Sequence, residues 1–506
     1  MPEKLQLERV SPDLPAKEFF AKYVSSRKPV IITGLLDDPT FQGRKWGDLD
    51  YLAEKAGDVE VMVEPIHPTA NQYGTDVERI PTMFRDFLGS LRSDDGPHPY
   101  LTTQYSEEDP DAETVFPPPT NALRDEFPIV PRIMGNLFLQ QVNLWLGKSK
   151  EGSSSGLHHD FHDNIYCLLK GRKRFVLFPP SEVEHLYPYG TLATLHPNGL
   201  IAYEDIPVRA DGLSKRAACK ARVRALERKI DALKAKSKRK TKGKGKGPSR
   251  ELQALMDAHD AALDELAEAE LDDVDAADED QMDDFDALMG DLDDLQDAGP
   301  GPSKKTSHDD EDGEEDAEEE WKGIGHSDDD KSASDGEDIN GTEDGDDSDD
   351  DEEDERALGE EKTGPSEPSS FSRIPTAHLH QYLGLPTTAV LPQPFDAEDF
   401  PELEKTTDPY VVELSEGEML YLPASWWHEV TSTSAGGDGV HIAFNYWFYP
   451  PDALDRCDAP YRDTLVWDYL RQKRDGEASR EPAAKTHTAK RARESVGGGD
   501  SKKVRR

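Results

Sequence analysis

Between residues 251 and 361 the chain carries 49 Asp or Glu against 5 Lys or Arg, a net of −44 in a protein whose formal charge is −46. A tract of that charge repels itself and buries too little apolar surface to offset its chain entropy, so beyond Leu271 it is expected to be disordered. The core of this 506-residue chain therefore has to come from the sequence on either side. Just before the tract, residues 214 to 250 hold 16 Lys or Arg and 2 acids. Val223, Leu226, Ile230 and Leu233 fall at the spacing of a helix stripe. After the linker "KSKRKTKGKGKGPS" an acidic stretch repeats the pattern with Leu252, Leu255, His259, Ala262, Leu263 and Leu266. Two amphipathic helices of opposite charge suggest an antiparallel hairpin with coiled-coil character; the alternative is two solvated helices that never pair.

The flanks have a different texture. Up to about residue 205, apolar runs such as "PVIITGLL", "VEVMVEP" and "LFLQQVNLWLG" alternate with Pro and Gly punctuation, and from about 373 to 470 the pattern returns in "YVVELSEGEMLYLPASWWHEV" and "GVHIAFNYWFYP". The later runs need partner strands. The simplest architecture is one β-rich domain interrupted by a surface insertion, since each doubling of loop length costs only roughly 0.6 kcal/mol. The expected divisions are a first domain part over 1–205, the charged hairpin over 206–271, an acidic disordered segment over 272–370, the second domain part and a following helix over 371–475, and a basic disordered tail over 476–506.

Cys167, Cys219 and Cys457 are scattered without metal or disulfide spacing, which suits a reducing compartment. The N-terminus "MPEKLQLERVSPDL" has no apolar core of signal length, and no stretch nears the ~18 apolar residues of a membrane helix, so a soluble intracellular protein is expected. "KRAR" at 490–493 and "SKKVRR" at 501–506 suggest nuclear import, or else a solvated tail; nucleus and/or cytoplasm is the expected location. Ser327, Ser334 and Ser348 precede acids, as acidophilic kinase sites do, although chance in an acidic tract explains them as well.

"LHHDFHDNIY", Leu157 to Tyr166, concentrates the chemistry. On a strand, residues i and i+2 share a face, so His158 and Asp160 suit one metal ion while His159 points away. Two imidazoles and one carboxylate with open positions opposite are associated with non-haem Fe(II) oxygenases. His428, in "LPASWWHEV" behind a Pro and Trp wall, is the candidate second histidine. His162 and Asp163 are an alternative pair, but His162 has Asn164 at i+2 in place of a carboxylate. His185, His196, His378 and His380 lie in loop-like sequence where solvated histidines are the default. "DNIYCLLKGRKRFVLFPPSE" suggests two strands joined as a hairpin at "KGRK" with Gly171 in the turn. An unbroken strand puts Asn164 on the metal face, and Lys173 either points its ammonium into a barrel or lies exposed on the hairpin.

Taken in order, "SRKPVIITGLL", "PYLTTQY", "VNLWLG", "SSGLHHDFHDNIYCLLKGRKRFVLFPPSE", "GEMLYLPASWWHEV" and "IAFNYWFYP" resemble the JmjC or cupin-like Fe(II)- and 2-oxoglutarate-dependent oxygenases, over about 1–205 and 373–455. The resemblance implies a mainly β fold with flanking helices, a double-stranded β-helix or jelly roll. It places the iron ligands on His158, Asp160 and His428. It gives the lysine for the 2-oxoglutarate C5-carboxylate as Lys173, fifteen residues after the first ligand as in the asparaginyl-hydroxylase branch, with co-substrate contacts at Tyr100, Asn164, Asn445 and Ser155. His159 and His162 become bystanders to the iron, either of them able to face substrate. "NLWLG" and "LFPPSE" look most like the JmjC-only lysyl hydroxylase group, which lacks the charged insert.

The implied activity consumes 2-oxoglutarate and O2 and oxidises a nearby C–H bond: a side-chain carbon gives a stable alcohol, an N-methyl carbon loses formaldehyde. Protein hydroxylation at a lysine or another basic side chain is favoured. A histone lysine demethylase is the alternative, and an inactive acidic, histone-chaperone-like binding module is the second. Expected partners are a basic, lysine-rich substrate and histone or ribosome and translation-factor contacts through the insert, with no membrane and no direct nucleic-acid binding. A homodimer through "YRDTLVWDYLRQ" is also an expectation, its apolar residues being equally explained by packing on their own domain.

Overall fold

Apolar runs without strict alternation belong to strands covered on both faces, and the computed structural model shows why they are needed here. It describes residues 2–69, 71–74, 77–94, 96–104, 115–240, 249–277, 368–434 and 439–478, with side chains for all of these but 238–240, 272–277 and 475–478. The acidic segment from 278, its three serines, the Gly/Lys linker and the basic tail lie outside the described residues.

The strands are β1 (Arg9–Val10), β2 (Val30–Ile32), β3 (Glu60–Glu64), β4 (Ile80–Met83), β5 (Tyr100–Leu101), β6 (Leu139–Gly147), β7 (Ser153–His158) and β8 (Asp163–Lys170). They continue with β9 (Arg172–Phe178), β10 (Leu192–Leu195), β11 (Ile201–Tyr203), β12 (Tyr410–Ser415), β13 (Met419–Leu422), β14 (Trp427–Thr433) and β15 (His441–Phe448). The helices are α1 (Ala16–Phe19), α2 (Leu49–Ala56), α3 (Phe84–Ser90), α4 (Lys215–Lys240), α5 (Arg250–Ala277), α6 (Thr376–Leu383) and α7 (Thr464–Ala478).

Nine strands form one sheet in the order β1-β2-β13-β8-β15-β6-β5-β3-β4, and four form a second in the order β12-β9-β14-β7. From β6 to β9, and again from β12 to β15, the chain crosses between these two sheets, which is the winding of a double-stranded β-helix. Side chains alternate accordingly. Tyr166 and Leu168 of β8 meet Phe175 and Leu177 of β9 between the sheets. Ile165 and Cys167 face the helices over the large sheet, and Val176 and Phe178 face α6 over the small one.

The expected hairpin at "KGRK" is not there. β8 and β9 belong to different sheets, and Gly171, at φ 88°, carries the chain across. A Cβ at this glycine lies 2.8 Å from His441 Cβ and 2.9 Å from the Thr433 carbonyl oxygen, so the crossing needs both its left-handed backbone and its missing side chain.

Ser214 and Ser249 cap α4 and α5, accepting from the N–H groups of Ala217 and Leu252. The two helices pack together through Val223, Leu226 and Ala262, with Leu255 and Leu266 beside them; Leu263 points to solvent. The other face of α4 is lined with Ala218, Ala221 and Ala225, small enough for Trp467 of α7 to approach. Arg222 bridges Glu265 of α5 and Asp463 at the start of α7, at 2.7 and 3.0 Å. Val466, Trp467, Tyr469 and Leu470 are thereby buried within the chain itself. Two of the histidines expected in loops lie on α6: His378 against Phe395, and His380 fully buried 3.1 Å from Glu429. Among the described residues no helix is long and apolar enough to cross a membrane.

Candidate metal centre

His158 is the last residue of β7 and pairs directly with His428 of β14, the neighbouring antiparallel strand. That register sets the two imidazoles 4.3 Å apart. Asp160 is not on the strand with His158 as the i+2 spacing suggested; it lies in the turn by which the chain leaves the small sheet for β8 in the large one. The turn nevertheless brings its Oδ2 to 3.8 Å from His428 Nε2, and ligand atoms of His158, Asp160 and His428 all lie within 4.8 Å of one another.

The hydrogen bonds behind the rings decide what they offer. Nδ1 of His158 faces the Gly156 carbonyl at 3.1 Å and Nδ1 of His428 the Trp426 carbonyl at 2.9 Å. Because a carbonyl only accepts, each Nδ1 carries a proton, which leaves Nε2 as the nitrogen that faces the other ligands. Burial, reinforced by the neighbouring His428, holds the His158 pKa well below its ordinary value, so the ring is neutral and able to ligate. Burial raises the Asp160 carboxyl against the pull of His428 and of Asn164; a bound cation restores its charge. Two imidazoles and a carboxylate on one side of an open cavity fit a single divalent metal.

The cavity, about 610 Å³ with its open mouth, runs inward from these ligands past Asn164, Ser155 and Tyr100 to Lys173. Lys173 is 1% exposed. Among the described residues its ammonium is bonded only to two hydroxyls, Tyr100 at 3.1 Å and Ser432. Desolvation lowers its pKa to about 7. A buried ammonium with hydroxyl partners and no carboxylate is costly on its own and fits the terminal carboxylate of a small dicarboxylic acid.

Of the residues expected in the site, His158, Asp160, His428, Lys173, Tyr100, Asn164 and Ser155 line this cavity. Asn445 stands behind them: its Nδ2 donates to Asn164 Oδ1 at 3.0 Å while its Oδ1 accepts from Trp145 Nε1 at 2.9 Å. It orients Asn164 and does not reach the cavity wall. His159 and His162 do not line this cavity. The first is buried against Tyr203 and Trp427, sharing a 2.7 Å hydrogen bond with the Tyr203 hydroxyl, and the second stacks on Trp447. Burial lowers both rings to about 3. Sequence reasoning missed Ser432 and Phe371. Ser432 shares strand parity with His428, a signal that was available. Phe371 stacks on His158 at 4.8 Å from the chain that follows the insert, and nothing local in the sequence points to it.

A double-stranded β-helix with a 2-His-1-carboxylate group at the mouth of its cavity and a buried cation at the base defines a class, the mononuclear metal oxygenases of the jelly-roll type. Comparison with known proteins narrows it. The model of the Cupin-like domain matches residues 16–454. A JmjC domain-containing protein 4 of Schizosaccharomyces pombe is 37% identical over 469 residues, 90% of this chain and 87% of that protein. The lysine-specific demethylase JMJ30 of Arabidopsis thaliana is 28% identical over 192 residues, 35% of this chain and 42% of its own. A tRNA wybutosine-synthesizing protein 4 of Neurospora crassa is 32% identical over 181 residues, 33% of this chain and only 14% of its own. The chain belongs to the cupin-like JmjC family, whose members are in general Fe(II)- and 2-oxoglutarate-dependent oxygenases.

Proposed function

We propose that this protein is an Fe(II)- and 2-oxoglutarate-dependent oxygenase that hydroxylates a protein side chain, a lysine or another basic residue being favoured. The observation that carries the co-substrate is Lys173, a fully buried ammonium at the base of the cavity whose metal ligands stand at the mouth. When bound, iron and 2-oxoglutarate supply, with O2, the oxidising power, and succinate and carbon dioxide are released. The chain's own part is positional. His158, Asp160 and His428 hold one side of the metal and leave the other to ligands; Lys173 anchors the far carboxylate; Trp426 and Trp427, both buried, keep bulk water from the base of His428.

The charge of the insert supports a basic macromolecular substrate, and histones or ribosomal and translation factors have that chemistry. Nuclear and cytoplasmic residence both fit the basic C-terminal sequence. The relatives named as lysine-specific demethylases keep N-demethylation as the second reading, which differs only in the carbon offered to the site. The test is succinate release from 2-oxoglutarate by the full chain with added Fe(II), wild type beside His158→Ala, over lysine-rich peptides and basic proteins, with mass spectrometry of each. Turnover lost in the variant together with a gain of one oxygen on a peptide is the expected result. Formaldehyde with loss of a methyl group assigns demethylation instead, and absence of 2-oxoglutarate binding leaves the acidic insert as the functional part.

A further inference from the structure

Asp163, the second aspartate of the histidine-rich run, has no place in the triad, yet its side chain is wholly shielded from solvent. It opens β8, and its carboxylate accepts four hydrogen bonds: from Arg27 Nη1 and Nη2 at 2.7 and 2.5 Å, from the Tyr421 hydroxyl at 2.8 Å and from the Ala424 N–H at 3.0 Å. Arg27 donates its Nε to the Asn198 carbonyl at 2.9 Å, and its own carbonyl accepts from Trp426 Nε1 at 3.0 Å. The ion pair thus grips residues 423–426, the turn from β13 to β14, at Ala424 and at Trp426.

Two bonds run from this turn to the metal ligands. The Ser425 N–H donates to the Asp160 carbonyl at 2.7 Å, and the Trp426 carbonyl accepts from His428 Nδ1 at 2.9 Å. The turn is not one the chain keeps unaided, because Ser425, at φ 61°, sits in the left-handed region that disfavours residues with a Cβ; Arg27, which touches it, is at φ 52°. Such conformations persist where the surroundings over-determine them, and here the Ser425 hydroxyl accepts from the Ile201 N–H at 2.9 Å while the preceding Ala424 is held by the Asp163 carboxylate.

We propose that the Arg27–Asp163 pair is a positioning device for the metal centre, setting Asp160 and His428 together by fixing the one turn to which both are bonded. The inference rests on the triad's being a metal site, and it assigns a task to the aspartate that spacing alone offered as an alternative ligand. A buried ion pair also holds a fold together, so the test has to separate geometry from stability. Asp211 supplies the control. Its side chain is equally buried and bonds Arg209, Trp467 Nε1 and the Leu213 N–H at the foot of α4, with no direct hydrogen bond to the triad among the described residues.

The experiment is titration of the folded full-length protein with Co(II), followed by visible absorption, for wild type, Asp163→Asn, Arg27→Lys, Asp211→Asn and His158→Ala, with folding checked by circular dichroism. Asp163→Asn and Arg27→Lys are expected to weaken Co(II) binding about ten- to a hundredfold, as changes behind metal ligands do, and to alter the band shape. Asp211→Asn is expected to stay within about twofold of wild type despite its loss of stability. Should Asp163→Asn not fold, Arg27→Lys, which keeps the charge and loses the two-pronged geometry, carries the comparison. Wild-type affinity in both variants, or equal weakening in Asp211→Asn, overturns the proposal. Equal Co(II) binding by wild type and His158→Ala instead removes the metal site itself, an outcome read without the other variants.

Discussion

Lys173 is the group on whose charge the co-substrate reading most depends. Its folded pKa of about 7 lies below the ordinary lysine value of 10.5, so between those values the unfolded chain binds the extra proton. The ligand-free fold therefore gains stability as pH rises from 7 toward 10.5. An anchored carboxylate favours the ammonium, so above pH 7 binding of 2-oxoglutarate takes up a proton and its affinity falls, approaching about tenfold per pH unit. Calorimetry in buffers of different ionisation heat checks this, and an affinity constant from pH 6.5 to 8.5 contradicts it. Lys173→Met is expected to lose both the proton uptake and most of the affinity. At this scale the sequence went far: spacing offered His158 with Asp160, a tryptophan wall suggested His428, and the resemblance supplied Lys173. The resemblance also gave Asn445 as a co-substrate contact; in the structure it stands one layer behind Asn164, to which it is hydrogen-bonded.

Among elements, the step from β8 to β9 shows where local pattern misleads. Two apolar runs around a glycine look alike whether the chain turns back on itself or crosses to another sheet. The crossing is decided by partners far away, β13 and β15 for β8 and β12 and β14 for β9. Gly171→Ala is expected to cost about 1–3 kcal/mol, since it places a Cβ against His441 and the Thr433 carbonyl at a left-handed φ. Urea denaturation measures it, and an unchanged midpoint refutes the crossing as a tight fit. The helix stripes of α4 and α5 were legible from period alone. That α4 has a second partner was not, since alanines facing Trp467 look like ordinary helix formers. Trp467→Ala is expected to cost about 3–5 kcal/mol by emptying that contact.

For the whole molecule, the structure changes what can be removed. Excising residues 210–365 also takes away α4, which covers Trp467 and Phe138, so that shortened chain is expected to misfold. Replacing 278–367 alone by a flexible Gly/Ser linker leaves every contact described above. The expected outcome is retained 2-oxoglutarate turnover with small peptides, weaker capture of basic proteins, and a smaller loss of that capture on going from 0.05 to 0.5 M salt. Undiminished capture by the shortened chain removes the insert from substrate recruitment.

The sequence by itself determined that the flanks of the insert supply the core, because apolar period is a local property, and it held the residue types of the candidate metal site at a usable spacing. Tertiary structure alone decided that Asp160 presents its carboxylate from a turn and not a strand, that β14 lies beside β7 with His428 opposite His158, and that Asp163 grips the turn behind both. Those outcomes depend on which strands pair and in what register. Register is fixed by the packing of two sheets against each other, over separations of some 270 residues between His158 and His428 that no local pattern spans.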